Sequence, residues 1–144
     1  MRNTIILTAF FCLGFMTMST AQEELWGAKI EFEKEVHDYG EIKQGDNGIY
    51  EFVFTNKGNV SLILANVKGS CSCTVPMWPK DPIEPGESGV IKVKYNTQRV
   101  GAINKSVTIT SNAVNAPRKV IRIKGNVEAE SSGVPVNKSR PESN

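Results

Sequence analysis

Cys71 and Cys73, set in the run Ser70-Cys71-Ser72-Cys73-Thr74, are the residues of this chain best suited to chemistry. In an extended strand, residues two apart share a face, so the two thiols are expected to be neighbours. Their Cα atoms would then stand ~6.6 Å apart at ~3.3 Å rise per residue, the far edge of what a disulfide tolerates. A bridge there needs a kinked backbone and is expected to reduce easily. It closes a loop around one residue, Ser72, and so restricts the unfolded chain little. A second reading is a soft-metal clip: two thiolates suit copper(I) or zinc, and Met77 could add a thioether. Zinc would need two further ligands from a chain with a single histidine. The third reading is two small side chains packed at a strand end, their reactivity unused. All three stay open on the sequence.

His37, beside Asp38, invites a Cys–His nucleophile with either thiol. No glycine-rich, oxyanion-forming turn accompanies the cysteines, and the expectation is no catalytic residue, no metal and no cofactor. Glu31, Glu33 and Glu35, and Glu84 with Glu87, read as solvated faces. Pro76, Pro79, Pro82 and Pro85 recur every third residue, the repeat of a polyproline II helix, with Trp78 on a second edge. An exposed ridge of Pro76, Trp78, Pro79 and Pro82 would offer a partner's aromatic groove a grip. The favoured alternative is a stiff crossover from one sheet to the other, closed by the Pro85-Gly86 turn.

What must position these groups is an exported β domain. Arg2, the apolar stretch Ile5 to Met18 and the small residues Ser19-Thr20-Ala21 form an export signal over 1–21, cleaved before Gln22. The apolar run falls short of the ~20 residues a spanning helix requires, so no membrane span is expected after cleavage. Cys12 leaves with the signal. Lys and Arg number 17 against 15 Asp and Glu, and residues 1–21 carry only Arg2, leaving one net positive charge. Such a balance gives no electrostatic footprint for nucleic acid. The remaining 123 residues, 22–144, suit one domain with a real core.

From Lys29 onward apolar residues alternate with period two. Tyr50, Phe52 and Phe54 form one such face, Ile91, Val93 and Tyr95 another, and Ile121 and Ile123 a third. Turn formers separate the runs: Gly45-Asp46-Asn47-Gly48, Lys57-Gly58-Asn59, Pro85-Gly86 and Asn115-Ala116-Pro117. Strands are expected near Lys29 to Glu35, Ile49 to Asn56, Ser61 to Lys68, Ser72 to Val75, Gly89 to Asn96, Lys105 to Ser111 and Arg118 to Val127. About seven short half-buried strands at this spacing predict an all-β, immunoglobulin-like antiparallel β-sandwich. The predicted layout is a linker over 22–28, the sandwich over 29–127 and a disordered C-terminal tail over 128–144, where Ser, Pro, Asn and charges dominate.

Several runs carry a resemblance. Phe52-Val53-Phe54-Thr55-Asn56-Lys57-Gly58, Leu62-Ile63-Leu64 with Val67, the cysteine run through Thr74, and Ile83-Glu84-Pro85-Gly86-Glu87 before Tyr95-Asn96-Thr97 resemble the bacterial domain-of-unknown-function family numbered 1573. Asp38-Tyr39-Gly40-Glu41-Ile42, Ser111-Asn112 and Gly125-Asn126-Val127 fit as well, so the likeness spans about Ile30 to Val127. The family usually shows Cys-Gly-Cys-Thr; Ser72 at the middle position implies that glycine's freedom at positive φ is not needed there. The resemblance implies a sandwich similar to those of the major sperm protein and cilium-associated groups, in single-domain secreted copies frequent in Bacteroidetes. It implies no activity. The expectation from sequence is a monomeric, non-catalytic binding or structural module of the bacterial cell envelope, secreted or periplasmic, engaging a protein or envelope component. The alternative is a thiol-redox or copper(I)-handling protein acting through Cys71 and Cys73.

Overall fold

The computed structural model describes residues 25–130; the expected export signal and most of the expected tail lie outside the described residues. Eight strands follow in order: β1 Ile30–Phe32, β2 Val36–Lys43, β3 Ile49–Asn56, β4 Leu64–Gly69, β5 Thr74–Met77, β6 Ser88–Tyr95, β7 Gly101–Ser111 and β8 Arg118–Glu128. They form two four-stranded sheets, β1-β3-β6-β5 and β2-β8-β7-β4, packed as a sandwich. The period-two runs become its inner faces. Phe52 and Phe54 from β3, Ile91 and Val93 from β6, Val107 and Ile109 from β7 and Ile121 and Ile123 from β8 are all buried. Burying such side chains contributes roughly 1.5–3 kcal/mol each.

The strand count is eight rather than seven because β2, Val36–Lys43, lies where no strand was expected, while the expected run Lys29 to Glu35 shortens to β1. β1 ends at Phe32, and Glu33–Glu35 carry the chain across to the other sheet, where β2 begins. The sandwich is also not wholly antiparallel: β2 lies parallel to β8. Parallel neighbours need a long connection, and here nearly the whole domain separates the two strands. β2 escapes the alternation rule because of a bulge. Asp38 and Glu41 pair with Lys124 and Asn126, so three steps on β2 match two on β8. Gly40 takes the extra place at φ 63°, a conformation glycine adopts freely. Its N–H donates to Asp38 Oδ1 at 2.9 Å.

Two further boundaries move. Gly27 and Ala28, expected in the linker, belong to the sandwich: Gly27 N–H donates to Asn59 Oδ1 at 2.8 Å, and Ala28 is buried and bridged to Ala113. At the other end β8 runs through Glu128, whose carbonyl accepts from Gln44 N–H at 2.8 Å. The buried Asn56 explains the run Asn56-Lys57-Gly58. Its Nδ2 donates to the carbonyls of Val60 and Ile83, and its Oδ1 accepts from Gly58 and Lys29 N–H groups. A buried amide satisfied on both ends fixes the connection leaving β3.

Candidate functional site

The cysteines lie at a corner. β4 is an edge of one sheet, β5 an edge of the other, and residues 70–73 carry the chain between them. The expected strand Ser72 to Val75 is therefore corrected to Thr74–Met77, with both cysteines in the turn before it. The turn is held by backbone bonds: Ser70 N–H to Ser106 C=O at 2.8 Å, Thr74 N–H to Cys71 C=O at 3.2 Å and Asn96 N–H to Cys73 C=O at 2.9 Å. Gly69 makes it tight. A Cβ at that position would stand 2.1 Å from the Thr74 carbonyl oxygen, so only glycine allows β4 and β5 to approach this closely.

Cys71 and Cys73 are joined as a disulfide across Ser72, with Cα atoms 5.2 Å apart. That separation is inside the usual range for a bridge, because a turn brings the Cα atoms closer than an extended strand does. The kink that an extended strand would have needed is supplied by the fold itself. Ser72 sits in this turn without positive φ, in keeping with serine at the middle position. Cys71 is half-buried and Cys73 only 5 % exposed. Thr74 is buried behind them, its Oγ1 3.5 Å from Cys71 Sγ and 3.8 Å from Cys73 Sγ. Thr74 is the further member of this site, and its adjacency to the second cysteine is the signal the sequence carries for it.

Beside the corner an open cleft of about 760 Å³ lies on the outer face of the β1-β3-β6-β5 sheet. Its lining includes Gly48, Ile49, Ser72, Cys73, Val75 and Lys94. Ile49, Lys94 and Val75 sit side by side across β3, β6 and β5. Ile49 and Val75 are exposed, Val75 at 52 %. Lys94, also exposed, has no ion-pair partner among the described residues. One register step along, Glu51, Lys92 and Met77 form the next row, with Glu51 paired to Lys92 at 2.9 Å and Met77 51 % exposed. Val53 and Val90 follow. This row of outward aliphatics was missed because each is out of phase with the buried alternation, which was itself the available signal.

The other candidates are dispersed. Met77 lines a shallow hollow of about 370 Å³ with Trp78, Glu51, Val90 and Lys92, while Cys73 lines the cleft, so the thioether belongs to a different depression. Among the described residues no three His, Cys, Asp or Glu side chains cluster as metal ligands. Trp78 is half-buried against the core, its Nε1 buried without a partner among the described residues and its ring covered by Lys80 Nζ at 3.1 Å from the centroid. The proline ridge is not continuous: Pro76 is a strand residue in β5, Pro79 is half-buried, and only Pro82 and Pro85 are exposed. Nor is the segment a crossover, because β5 and β6 are neighbours in one sheet. It instead folds over the end of the sandwich, where Leu62 and Ile83 exchange backbone bonds of 2.8 and 2.9 Å.

Pro76 also explains how the β5 edge is finished. Tyr95 N–H bonds to Gly48 C=O, so Tyr95 and, two residues on, Val93 direct their backbone groups toward β3. Pro76 pairs with Val93 and therefore aims its donor-less nitrogen at the free edge, which blunts it.

His37 lies at the opposite flank, away from the cysteines. Its ring stacks on Tyr50 at 3.6 Å and 10°, and Tyr39 meets it edge-on at 4.5 Å. Burial, with Lys34 adding to it, holds the imidazole below its ordinary value of 6.5 against the opposing pull of Asp38. Tyr39 donates its hydroxyl to Gly48 C=O at 2.8 Å, and burial pushes that phenol up to about 12. Asp38 is held low by the Gly40 N–H and by Lys124 at 3.3 Å.

The sequence pattern of the family described as "Protein of unknown function (DUF1573)" matches residues 30–127. No curated protein matches the chain. Among solved structures, a protein of unknown function from Porphyromonas gingivalis W83 is similar at a TM-score of 0.63 and 20 % identity, over 69 % of this chain and 46 % of that one. The ASH/PapD-like domain 7 of human CEP192 is similar at 0.59 and 7 %, over 72 % of this chain and 88 % of that one. The YadV chaperone is similar at 0.53 and 13 %, over 69 % and 52 %. The chain thus spans about half the length of the Porphyromonas protein and of the chaperone. These likenesses show the sandwich fold. Among the described residues no helix is long and apolar enough to cross a membrane.

Proposed function

The chain belongs to the DUF1573 family, and from that premise we propose that it is a non-catalytic binding or structural module of the bacterial cell envelope, secreted or periplasmic, that engages a protein partner. The observation that carries this reading is the outer face of the β1-β3-β6-β5 sheet. Ile49, Val75, Met77 and Val90 expose aliphatic surface there, and Lys94, with no ion-pair partner among the described residues, stands between Ile49 and Val75. Exposed aliphatic side chains gathered on one face and interleaved with Lys94 and the Glu51–Lys92 pair suit an interaction surface with both apolar and polar contacts. The fitting occupant is a polypeptide segment that places aliphatic side chains over Ile49 and Val75 and a carboxylate against Lys94. The export pattern at the N-terminus supports the address, and the likeness to a chaperone's fold is in keeping with a polypeptide partner.

The test is site-specific photocrosslinking in the native bacterium, with the crosslinker at Val75 or, as control, at Thr108 on the other sheet. A discrete adduct from Val75, absent from Thr108 and lost in Lys94→Glu, is expected in the envelope fraction. Equal adducts from both positions, or none from Val75, would overturn the assignment.

A further inference from the structure

The hydroxyl of Thr74 is 2 % exposed with its residue, and its hydrogen-bond partners among the described residues are the two bridge sulfurs. A buried hydroxyl needs a partner, and sulfur in a disulfide is a weak acceptor that carries no proton to give. The reduced pair serves this hydroxyl better. A thiolate accepts a charge-assisted bond from it, and a thiol can donate to it. The corner therefore favours the reduced state more than an apolar setting would. The bonds to Ser106, Cys71 and Asn96 and the close approach at Gly69 are backbone features that make no use of the sulfur atoms. The two sulfurs are unequal, since Cys71 is half-buried and Cys73 nearly closed off. The adjoining cleft reaches the turn at Ser72 and Cys73, and Cys71, the less buried of the two cysteines, is not in its lining.

We propose that the Cys71–Cys73 corner is a thiol–disulfide exchange site that takes an electron pair from a dithiol on a second protein, with Thr74 as the residue that stabilises the reduced pair. This goes beyond the binding role and does not depend on it. The partner's first thiolate attacks Cys71 Sγ, the Cys71–Cys73 bond breaks, and the electron pair leaves on Cys73 Sγ, which takes up a proton. The partner's second thiolate then attacks its own sulfur in the mixed disulfide. That forms the partner's disulfide and releases Cys71 as a thiolate, which is protonated in turn. The partner loses two electrons and two protons, and the corner gains both.

The experiment equilibrates the purified protein with reduced and oxidised dithiothreitol as the probe dithiol, quenches with acid, alkylates and counts labels by intact mass. Thr74→Val should shift the equilibrium toward the bridge by about tenfold, the effect of one such hydrogen bond, and Thr74→Ser should restore it. In a second arm, Cys71 in Cys73→Ser should react with a disulfide reagent at least about tenfold faster than Cys73 in Cys71→Ser. Circular dichroism confirms that each variant is folded. Agreement of Thr74→Val with the parent within about twofold, or Cys73 reacting as fast as Cys71, would overturn the proposal.

Discussion

The two flanks of the sandwich are closed by different chemistry. On one, Glu33–Glu35 carry the chain from β1 to β2, and the gap between sheets is filled by stacked rings, His37 between Tyr50 and Tyr39. On the other, Ser70–Cys73 carry it from β4 to β5, and a covalent bridge occupies the corner. The first flank holds by ring contact, and burial disfavours the charged imidazole there, so it answers to acid. The second answers to thiols. A single small domain thus presents two edges whose cohesion is set by different solution variables, and both border the cleft, the cysteine corner through Cys73 and the aromatic flank through Gly48, which accepts from Tyr39.

The largest expected effect lies between the flanks and sets the scale for both. Phe52 is buried at the centre of β3, with Tyr50 edge-on at 4.8 Å, so it backs the aromatic flank. Phe52→Ala should cost ~3–5 kcal/mol in reversible denaturant melts. A loss under about 1 kcal/mol would place that face at the surface and break the assigned register.

Opening the bridge should cost much less. A loop around one residue removes little freedom from the unfolded chain, so Cys71→Ser/Cys73→Ser should lose less than about 2 kcal/mol in the same melts. A loss as large as that of Phe52→Ala would make the corner a stability staple and remove the contrast between flanks.

Acid should act on the aromatic flank alone. Because burial lowers the pKa of His37 below its ordinary 6.5, the unfolded state binds its proton first. The stability that depends on the neutral ring is therefore full above pH 6.5 and is lost as pH falls through the lower folded-state value. His37→Phe keeps the stack and removes the titration. Melts of parent and variant should converge in slope above neutrality and diverge below it, with the parent falling faster. Parallel profiles from pH 8 to 5 would show that His37 is not held neutral by the fold.

The smallest effect is expected at the C-terminus. β8 ends at Glu128, so truncation after Glu130 should leave the melting temperature unchanged, whereas truncation after Val127 removes the carbonyl that accepts from Gln44. A drop of several degrees after Glu130 would show that residues 131–144 dock on the sandwich.

The contrast between flanks also separates what was legible in the sequence from what was not. Phe52, Phe54, Ile91 and Val93 could be placed because strict alternation leaves one side for each to face. β2 could not be recognised because the bulge at Gly40 puts Tyr39 and Ile42, three residues apart, toward the same interior. The cysteine corner was misread as a strand because four residues switch sheets without proline or glycine between Ser70 and Cys73. An extended geometry sets the thiols at the far edge of bridging range, whereas the turn is what brings them together. The proline-rich segment misled in the opposite sense: its period is real, yet β5 pairing and the core claim Pro76 and Trp78.

The central claim is that Cys71 and Cys73 form an intramolecular, reversible bridge at the sheet-switching corner. Intact mass after alkylation of the protein purified without reductant tests it most directly. The account predicts no label on either cysteine before mild reduction and two labels after it. Two labels without reductant would contradict it, leaving the corner to backbone bonds and packing alone.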